Sequence, residues 1–143
     1  MYKNILVATD GSDLATNAAK QAIGLAKGLS AKVTAVNVSA PFQWFAHNVP
    51  AGLEANYRQG AQEVAAKALG AVSDAAKAAG VACETLHVED GSPYKAIIDT
   101  AQKKSCDLIV MASHGRSGPA ALIVGSQTAK VLTHSKIPLL VLH

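Results

Sequence analysis

Short, uninterrupted apolar runs constrain the fold of this chain more than any other feature. The first is Ile5–Ala8 and the last is Leu139–Leu142, and both consist of aliphatic residues with no polar residue between them. A strand with one face in water alternates apolar and polar residues, whereas a strand that is buried on both faces is continuously apolar. The runs therefore predict a parallel sheet that is covered by helices on both sides.

Three further strands are predicted between these two, at Val33–Val38, Val81–Val88 and Leu108–Met111. Segments with helical periodicity separate all five strands, so strands and helices alternate along the whole chain. This alternation is typical of a parallel sheet with right-handed crossovers and helices on both faces. We therefore predict a single α/β domain over residues 1–143, doubly wound and Rossmann-like, with a five-stranded parallel sheet.

Capping residues and apolar spacing predict where the four helices lie. The pair Ser12-Asp13 is suited to cap the first helix, and Gly28 is suited to end it. An alanine-rich segment predicts a long second helix over Leu53–Ala79, with an apolar stripe along its whole length. The third helix is expected to begin at Ser92-Pro93, where the missing proline amide costs nothing, and the fourth near Gly125-Ser126.

Composition and charge exclude several classes of protein. The 143 residues carry a net charge of +3, the basic residues are scattered, and only 4% of the residues are aromatic. Nucleic-acid-binding proteins usually concentrate basic residues in one patch, often beside aromatic rings, so we expect no nucleic-acid binding. No apolar run approaches the roughly 18 residues that a membrane span requires, and we expect no signal peptide at the N-terminus. Cys83 and Cys106 form no CxxC motif and are expected to be buried free thiols, which fits a cytoplasmic location.

The loop at residues 112–126 is the most informative candidate for a ligand site. In open α/β sheets, ligands bind outside the carboxyl ends of the strands, where the strand order reverses. Glycines in this loop would let backbone amides approach a phosphate, and Gly125-Ser126 would add the positive end of a helix. Residues of this kind also occur in tight connections between strand and helix. The chain contains no Walker A motif and no G-x-G motif, so the commonest phosphate loops are excluded.

Two segments carry a family signature. Lys3–Ser12 reads KNILVATDGS, and Asp107–Arg116 reads DLIVMASHGR. With Gly125-Ser126 and the segment Val131–Val141, they match the two halves of the universal stress proteins, which this chain resembles over nearly its whole length. The nucleotide-binding branch of that family carries G-x2-G-x9-G-[S/T]. The spacing is intact here, but Ala112 stands where the first glycine is expected.

The resemblance implies a fold like that of the adenine nucleotide α-hydrolases, with ATP or AMP as ligand, Mg²⁺ as an optional companion of the phosphates and no dedicated metal site. Asp10 would lie beside the ribose, Val38 would bind the adenine edge through its backbone, and the glycine loop would surround the phosphates. His114 has no evident carboxylate partner, so no catalytic residue is assigned. The predicted nucleotide-binding residues are Ala8, Thr9, Asp10, Val38, Met111, Ala112, His114, Gly115, Arg116, Ser117, Gly125, Ser126, Gln127 and Thr128.

Ala112 leaves the function open between three hypotheses. If the backbone there has a negative φ, the methyl group only narrows the pocket, whereas a positive φ would add roughly 1 kcal/mol of strain. The leading hypothesis is a stress-related regulator that binds an adenine nucleotide and forms a homodimer. The alternatives are a dimer that binds partners without ATP and a weak ATP-hydrolysing enzyme. The predicted dimer contact is the last strand, Leu139, Leu140, Val141 and Leu142.

Two enzyme or signalling classes fit less well. Adenine nucleotide α-hydrolase enzymes usually carry an S-G-G-x-D-S loop after the first strand, and this chain has TDGSD at residues 9–13. Phosphorylated receiver domains need a lysine after the fifth strand, and this sequence has only His143 there. Phe42, Trp44 and Phe45 lie close together in the loop before the second helix. They are expected either to cover that helix or to form a flap or docking surface.

Overall fold

The computed structural model describes residues 1–42, 50, 52–115 and 124–143. Five strands and four helices alternate within them, as the sequence predicts. The elements in chain order are β1 (Asn4–Ala8), α1 (Asp13–Leu29), β2 (Lys32–Ser39), α2 (Leu53–Ala79), β3 (Cys83–Glu89), α3 (Pro93–Lys103), β4 (Leu108–Ala112), α4 (Ser126–His134) and β5 (Leu139–Leu142).

The five strands form one parallel sheet in the order β3-β2-β1-β4-β5. In the centre, Val7 of β1 pairs with Ala35 of β2 on one side and with Val110 of β4 on the other. The chain moves outward in one direction from β1 to β3 and in the other from β4 to β5. The strand order therefore reverses between β1 and β4, and a crevice is expected at the carboxyl ends of these two strands. The predicted α/β fold with a five-stranded parallel sheet is confirmed.

Apolar side chains of the central strands pack on both faces of the sheet. On one face, Ile5 and Val110 pack with residues of α1 and α2. On the other face, Leu6, Ile109 and Met111 pack with residues of α3 and α4. The side chains of β1 and β4 are almost wholly buried, which explains why both strands read as continuous apolar runs. No helix in the described ranges has the length and hydrophobicity to cross a membrane.

Hydrogen bonds at its two ends fix the length of α1. The hydroxyl of Ser12 accepts a hydrogen bond from the amide of Ala15 at 3.2 Å, which confirms an N-terminal cap in the predicted pair. The predicted end at Gly28 is wrong, because the helix continues to Leu29. The next residue, Ser30, adopts a left-handed conformation with φ of 55°, and the chain closes with a 2.8 Å bond from the amide of Ala31 to the carbonyl of Ala26.

The long helix α2 is buried only in its second half. Its 27 residues span about 40 Å, whereas the eight residues of β2 span about 26 Å, so the first turns have no strand beneath them. Leu53 and Val64 are accordingly 47% and 41% exposed, and the first fully buried residue is Ala65. The bounds of this helix are those predicted, and its apolar stripe is buried only in the second half of the helix. Gly80 ends it with φ of 73°.

Candidate functional site

A cavity of about 470 Å³ opens at the carboxyl edge of the sheet, where β1 and β4 end and the strand order reverses. The structure brings together around it every predicted site residue that lies in its described ranges. Their role in binding stays a prediction. These residues are Ala8, Thr9, Asp10, Val38, Met111, Ala112, His114, Gly115, Gly125, Ser126, Gln127 and Thr128. The other two, Arg116 and Ser117, lie outside the described residues, as do Trp44 and Phe45.

Four further residues line the cavity that the sequence did not assign to it: Ala15, Val36, Pro93 and Ile97. One of them could have been predicted from the sequence pattern. Val36 lies two residues before Val38 and therefore on the same face of β2. Pro93 and Ile97 lie one helical turn apart at the start of α3, but only the strand order places that start next to α4. Sequence spacing alone carries no signal for this contact.

One end of the cavity is apolar. Val36 and Met111 are almost fully buried, and with Val38 and Ile97 they belong to the cluster beneath α3 and α4. The backbone of Val38 adds polar groups at the same place. The carbonyl of Val36 faces β1, where it accepts a bond from Thr9, and peptide groups two residues apart on a strand face the same way. The amide and carbonyl of Val38 therefore point past the end of β1 toward the cavity.

The other end of the cavity is the N-terminus of α4. The cap residue Gly125 has no side chain to bind the first-turn amides, and the first turn contains no acidic residue. The amide of Gly125 itself donates to the carbonyl of Ser113 at 2.5 Å. The amides of Ser126, Gln127 and Thr128 have no hydrogen-bond acceptor among the described residues. They form the positive end of a helix, where an anion is stabilised.

Two of the first-turn side chains in α4 connect this helix to neighbouring elements. The hydroxyl of Thr128 donates to the carbonyl of Ala112 at 3.0 Å, which fixes the helix to the end of β4. The side-chain carbonyl of Gln127 accepts a bond from the amide of Tyr94 at 3.0 Å, which fixes α4 to the first turn of α3. The side chain of Thr128 is therefore engaged with the strand, whereas the NH₂ group of Gln127 makes no hydrogen bond with the described residues.

The two glycines present in the expected motif lie close to other loop residues. A Cβ atom on Gly115 would lie 2.5 Å from the Oδ2 atom of Asp10, and a Cβ atom on Gly125 would lie 3.2 Å from the Cα atom of His114. Neither position has a positive φ. The loop residues therefore approach one another closely because the two glycines have no side chain.

Ala112 has an ordinary backbone conformation. The residues with positive φ in the described ranges, other than glycine, are Ser30 and Ser105, so alanine at position 112 carries no left-handed strain. Its side chain is 7% exposed and packs in a small cluster with Ala15 and Ala18 of α1. Of the two cases that the sequence left open, the structure selects the one in which the methyl group only forms part of the cavity wall.

Asp10 and His114 bring titratable groups to the cavity. The Oδ1 atom of Asp10 accepts a bond from the amide of Ser12 at 2.9 Å, and Asp10 makes a further interaction besides this one. The Nδ1 atom of His114 lies 3.2 Å from the hydroxyl of Ser113. Asp10 therefore shapes the turn after β1 and also faces the cavity. In the described ranges, no group of three or more His, Cys, Asp or Glu side chains could hold a metal ion.

The two cysteines lie away from this cavity. Cys83 packs toward α1 and α2, and Cys106 packs on the opposite face of the sheet, so both are free thiols that do not meet. Burial raises the pKa of both thiols, and near Cys106 a hydrogen bond with Thr34 partly opposes the rise. Cys106 is buried as predicted, whereas Cys83 is only half-buried.

Comparison with known proteins identifies the family. The profile of the universal stress protein family matches residues 1–143. The chain belongs to the universal stress protein family. A universal stress protein of Methanocaldococcus jannaschii is 36% identical over 144 residues, which cover 99% of this chain and 82% of that protein. A putative universal stress protein of Staphylococcus aureus is 34% identical over 142 residues, which cover 98% of this chain and 83% of that protein.

Solved structures of similar proteins have the same fold. The protein MJ0577 superposes on this universal stress protein with a TM-score of 0.86 at 25% identity, covering 99% of this chain and 96% of that chain. A universal stress protein crystallised in complex with cAMP superposes with a TM-score of 0.72 at 27% identity, covering 99% of this chain and 97% of that chain. The latter binds an adenine nucleotide.

Proposed function

We propose that this universal stress protein is a stress-related regulatory protein that binds an adenine nucleotide, ATP or AMP, in the cavity at the carboxyl edge of its sheet. One observation carries the proposal: a single cavity has an apolar end and an anion-binding end. Val36, Val38 and Met111 form the first, and the amides of Ser126 and Gln127 contribute to the second. A nucleotide has the same polarity, with a flat apolar base at one end and charged phosphates at the other.

The proposed orientation follows from this polarity. The base lies between Val36, Ile97 and Met111, and its polar edge meets the backbone of Val38. The ribose lies near Asp10, and the α-phosphate lies at the first turn of α4. The volume of about 470 Å³ is within the range of small-molecule sites. The similar protein that was crystallised with cAMP supports an adenine nucleotide as the ligand class.

The test is calorimetry on nucleotide-stripped protein with AMP, ATP, cAMP and GTP as separate ligands. We expect adenine nucleotides to bind with a 1:1 stoichiometry. We expect GTP to bind more weakly, because the backbone amide and carbonyl of Val38 are proposed to pair with the polar edge of adenine. Asp10→Asn is the site variant, and Asp74→Asn, on exposed α2, is its matched control. Absence of heat with all adenine nucleotides would refute the proposal. Phosphate release from ATP, followed in the same samples, measures any slow hydrolysis.

We also propose that the protein acts as a homodimer through β5. In the described ranges this strand pairs only with β4 and lies at the edge of the sheet. Its residue Leu140 is 38% exposed, and an exposed apolar edge strand favours pairing with a second strand. We expect Leu140→Lys to produce monomers in sedimentation velocity at micromolar concentration, whereas Leu53→Lys, at another exposed leucine, leaves the dimer intact. A monomeric wild-type protein would overturn this part.

The cytoplasm is the proposed location. Cys83 and Cys106 are thiols on opposite faces of the sheet, and unpaired thiols persist in reducing compartments. Fractionation of cells that carry the tagged protein tests the location. We expect the tag in the cytosolic fraction, and its recovery outside the cell or in the membrane fraction would contradict the proposal.

A further inference from the structure

A methionine side chain forms part of the apolar end of the cavity. Met111 is the penultimate residue of β4, it lines the cavity, and it belongs with Val36 and Ile97 to the cluster beneath α3 and α4. The residue is 7% exposed. Because the cavity opens at the carboxyl edge of the sheet, a molecule as small as hydrogen peroxide can approach the Met111 sulfur from the solvent.

The other three sulfur atoms of the chain do not belong to this cavity. They are those of Met1, Cys83 and Cys106, and none of these residues lines it. Burial raises the pKa of both thiols, so the thiolate, the form that attacks an oxidant, is scarce at neutral or acidic pH. A thioether has no proton to lose and reacts without this restriction. Met111 is therefore the sulfur-containing residue through which an oxidant can act on the cavity.

Oxidation by a peroxide changes an apolar part of the cavity wall into a polar one. A lone pair of the Met111 sulfur forms a bond to one peroxide oxygen, the O–O bond breaks, and the second oxygen leaves as water with both protons. The sulfur loses two electrons, the peroxide gains them, and the product is methionine sulfoxide. In the free protein, water in the cavity can donate a hydrogen bond to the new oxygen. A base that packs against Met111 excludes this water and leaves the oxygen without a partner, which opposes binding.

We infer that Met111 is an oxidation site, and that its conversion to the sulfoxide by a peroxide weakens nucleotide binding in this cavity. The inference rests on the proposed function, because it places the base against Val36, Ile97 and Met111. The same contact makes the effect mutual. A bound base covers the Met111 sulfur and slows its oxidation, so the nucleotide-free protein is the form that the oxidant modifies.

The experiment treats the nucleotide-stripped, full-length protein with hydrogen peroxide at pH 6, where both thiols are protonated. Peptide mass spectrometry follows each oxidised residue, and calorimetry measures AMP affinity before and after treatment. Met1 is 97% exposed, so it should oxidise first and without effect on affinity. Once Met111 is oxidised, AMP affinity should fall about tenfold, the effect of one buried polar group left without a hydrogen-bond partner. Saturating AMP should slow the oxidation of Met111 severalfold and leave that of Met1 unchanged.

Two variants assign the effect to one sulfur atom. Met111→Leu keeps an apolar side chain of similar volume and has no sulfur at this position. Whatever its AMP affinity before treatment, that affinity should stay the same after peroxide. The double variant Cys83→Ala/Cys106→Ala has no thiol, and it should lose AMP affinity on oxidation as the wild-type protein does.

Four results would overturn the inference. AMP affinity that is unchanged after full conversion of Met111, or an equal loss of affinity in Met111→Leu, would show that this sulfur does not control binding. Resistance of Met111 to peroxide in the free, folded protein would show that the oxidant does not reach it. A loss of affinity accompanied by unfolding in circular dichroism would assign the effect to the core. The untreated protein tests the proposed function separately: if it binds no nucleotide, that function is wrong, and the inference falls with it.

Discussion

Replacing Ala112 with glycine tests whether the alanine obstructs the cavity or only packs the fold. The structure predicts packing, because the side chain is 7% exposed, lies against Ala15 and Ala18, and sits on backbone without positive φ. Removing its buried methyl group costs about 0.8 kcal/mol. The freedom that glycine gains in the unfolded chain costs a further 0.5–1 kcal/mol or so. We therefore expect Ala112→Gly to lower the free energy of unfolding by about 1.5 kcal/mol.

Thermal denaturation followed by circular dichroism measures this loss. In a domain of this size, 1 kcal/mol corresponds to a shift of about 2–4 °C, so the melting temperature should fall by roughly 3–6 °C. Ala35→Gly is the matched control, because Ala35 is fully buried in β2 and does not line the cavity. Ala35→Gly should lower the free energy of unfolding by a similar amount. The affinities for AMP and ATP should change less than threefold in both variants.

The opposite result would refute this reasoning. If the methyl group blocks the ligand, Ala112→Gly will raise nucleotide affinity tenfold or more and leave the melting temperature near that of the wild-type protein. A tenfold gain corresponds to about 1.4 kcal/mol, well above the error of calorimetry. An unchanged melting temperature alone would show that the contact with α1 contributes nothing to stability.

Three further predictions concern single residues. Ser12→Ala removes the acceptor of the Ala15 amide and should destabilise the protein by about 1 kcal/mol in urea denaturation, whereas Ser12→Asp should not. Gly125→Ala places a methyl group 3.2 Å from the Cα atom of His114 and should lower both the melting temperature and the nucleotide affinity. A melting temperature equal to that of the wild-type protein would show that the added methyl group meets no steric conflict. Burial raises the pKa of the Cys106 thiol, so iodoacetamide should label it more slowly than a free thiol at pH 8, and equally fast after unfolding.

The strands and the fold could be predicted because both depend on local sequence. A strand buried on both faces must be apolar throughout, and β1 and β4 are the two most buried strands and gave the clearest runs. The end of α1 could not be read in the same way. Gly28 is a better helix terminator than Ser30 by propensity, but the chain closes at Ser30 because the amide of Ala31 reaches the carbonyl of Ala26 there.

The site residues in the loops after β1 and β4 could also be predicted. The site residues that reach the cavity through the packing of one helix on another could not. The loops after β1 and β4 are continuous segments, so their residues could be assigned from the strand ends. Pro93 and Ile97 reach the cavity only because α3 packs beside α4, a contact fixed by the bond between Tyr94 and Gln127. The exposure of the first turns of α2 also depends on the length of a strand elsewhere in the chain, and the apolar pattern of the helix itself does not indicate that length.

The bond from the amide of Gly125 to the carbonyl of Ser113 gives the loop between them a closed base. The two ends of the loop are joined where β4 stops and α4 starts, and the bond from Thr128 to Ala112 repeats the closure one turn further on. The position of the helix is therefore independent of how many residues the loop contains. Doubling the length of a flexible loop costs only about 0.6 kcal/mol. Inserted sequences between residues 118 and 123, beyond the predicted binding residues Arg116 and Ser117, should consequently leave the fold intact.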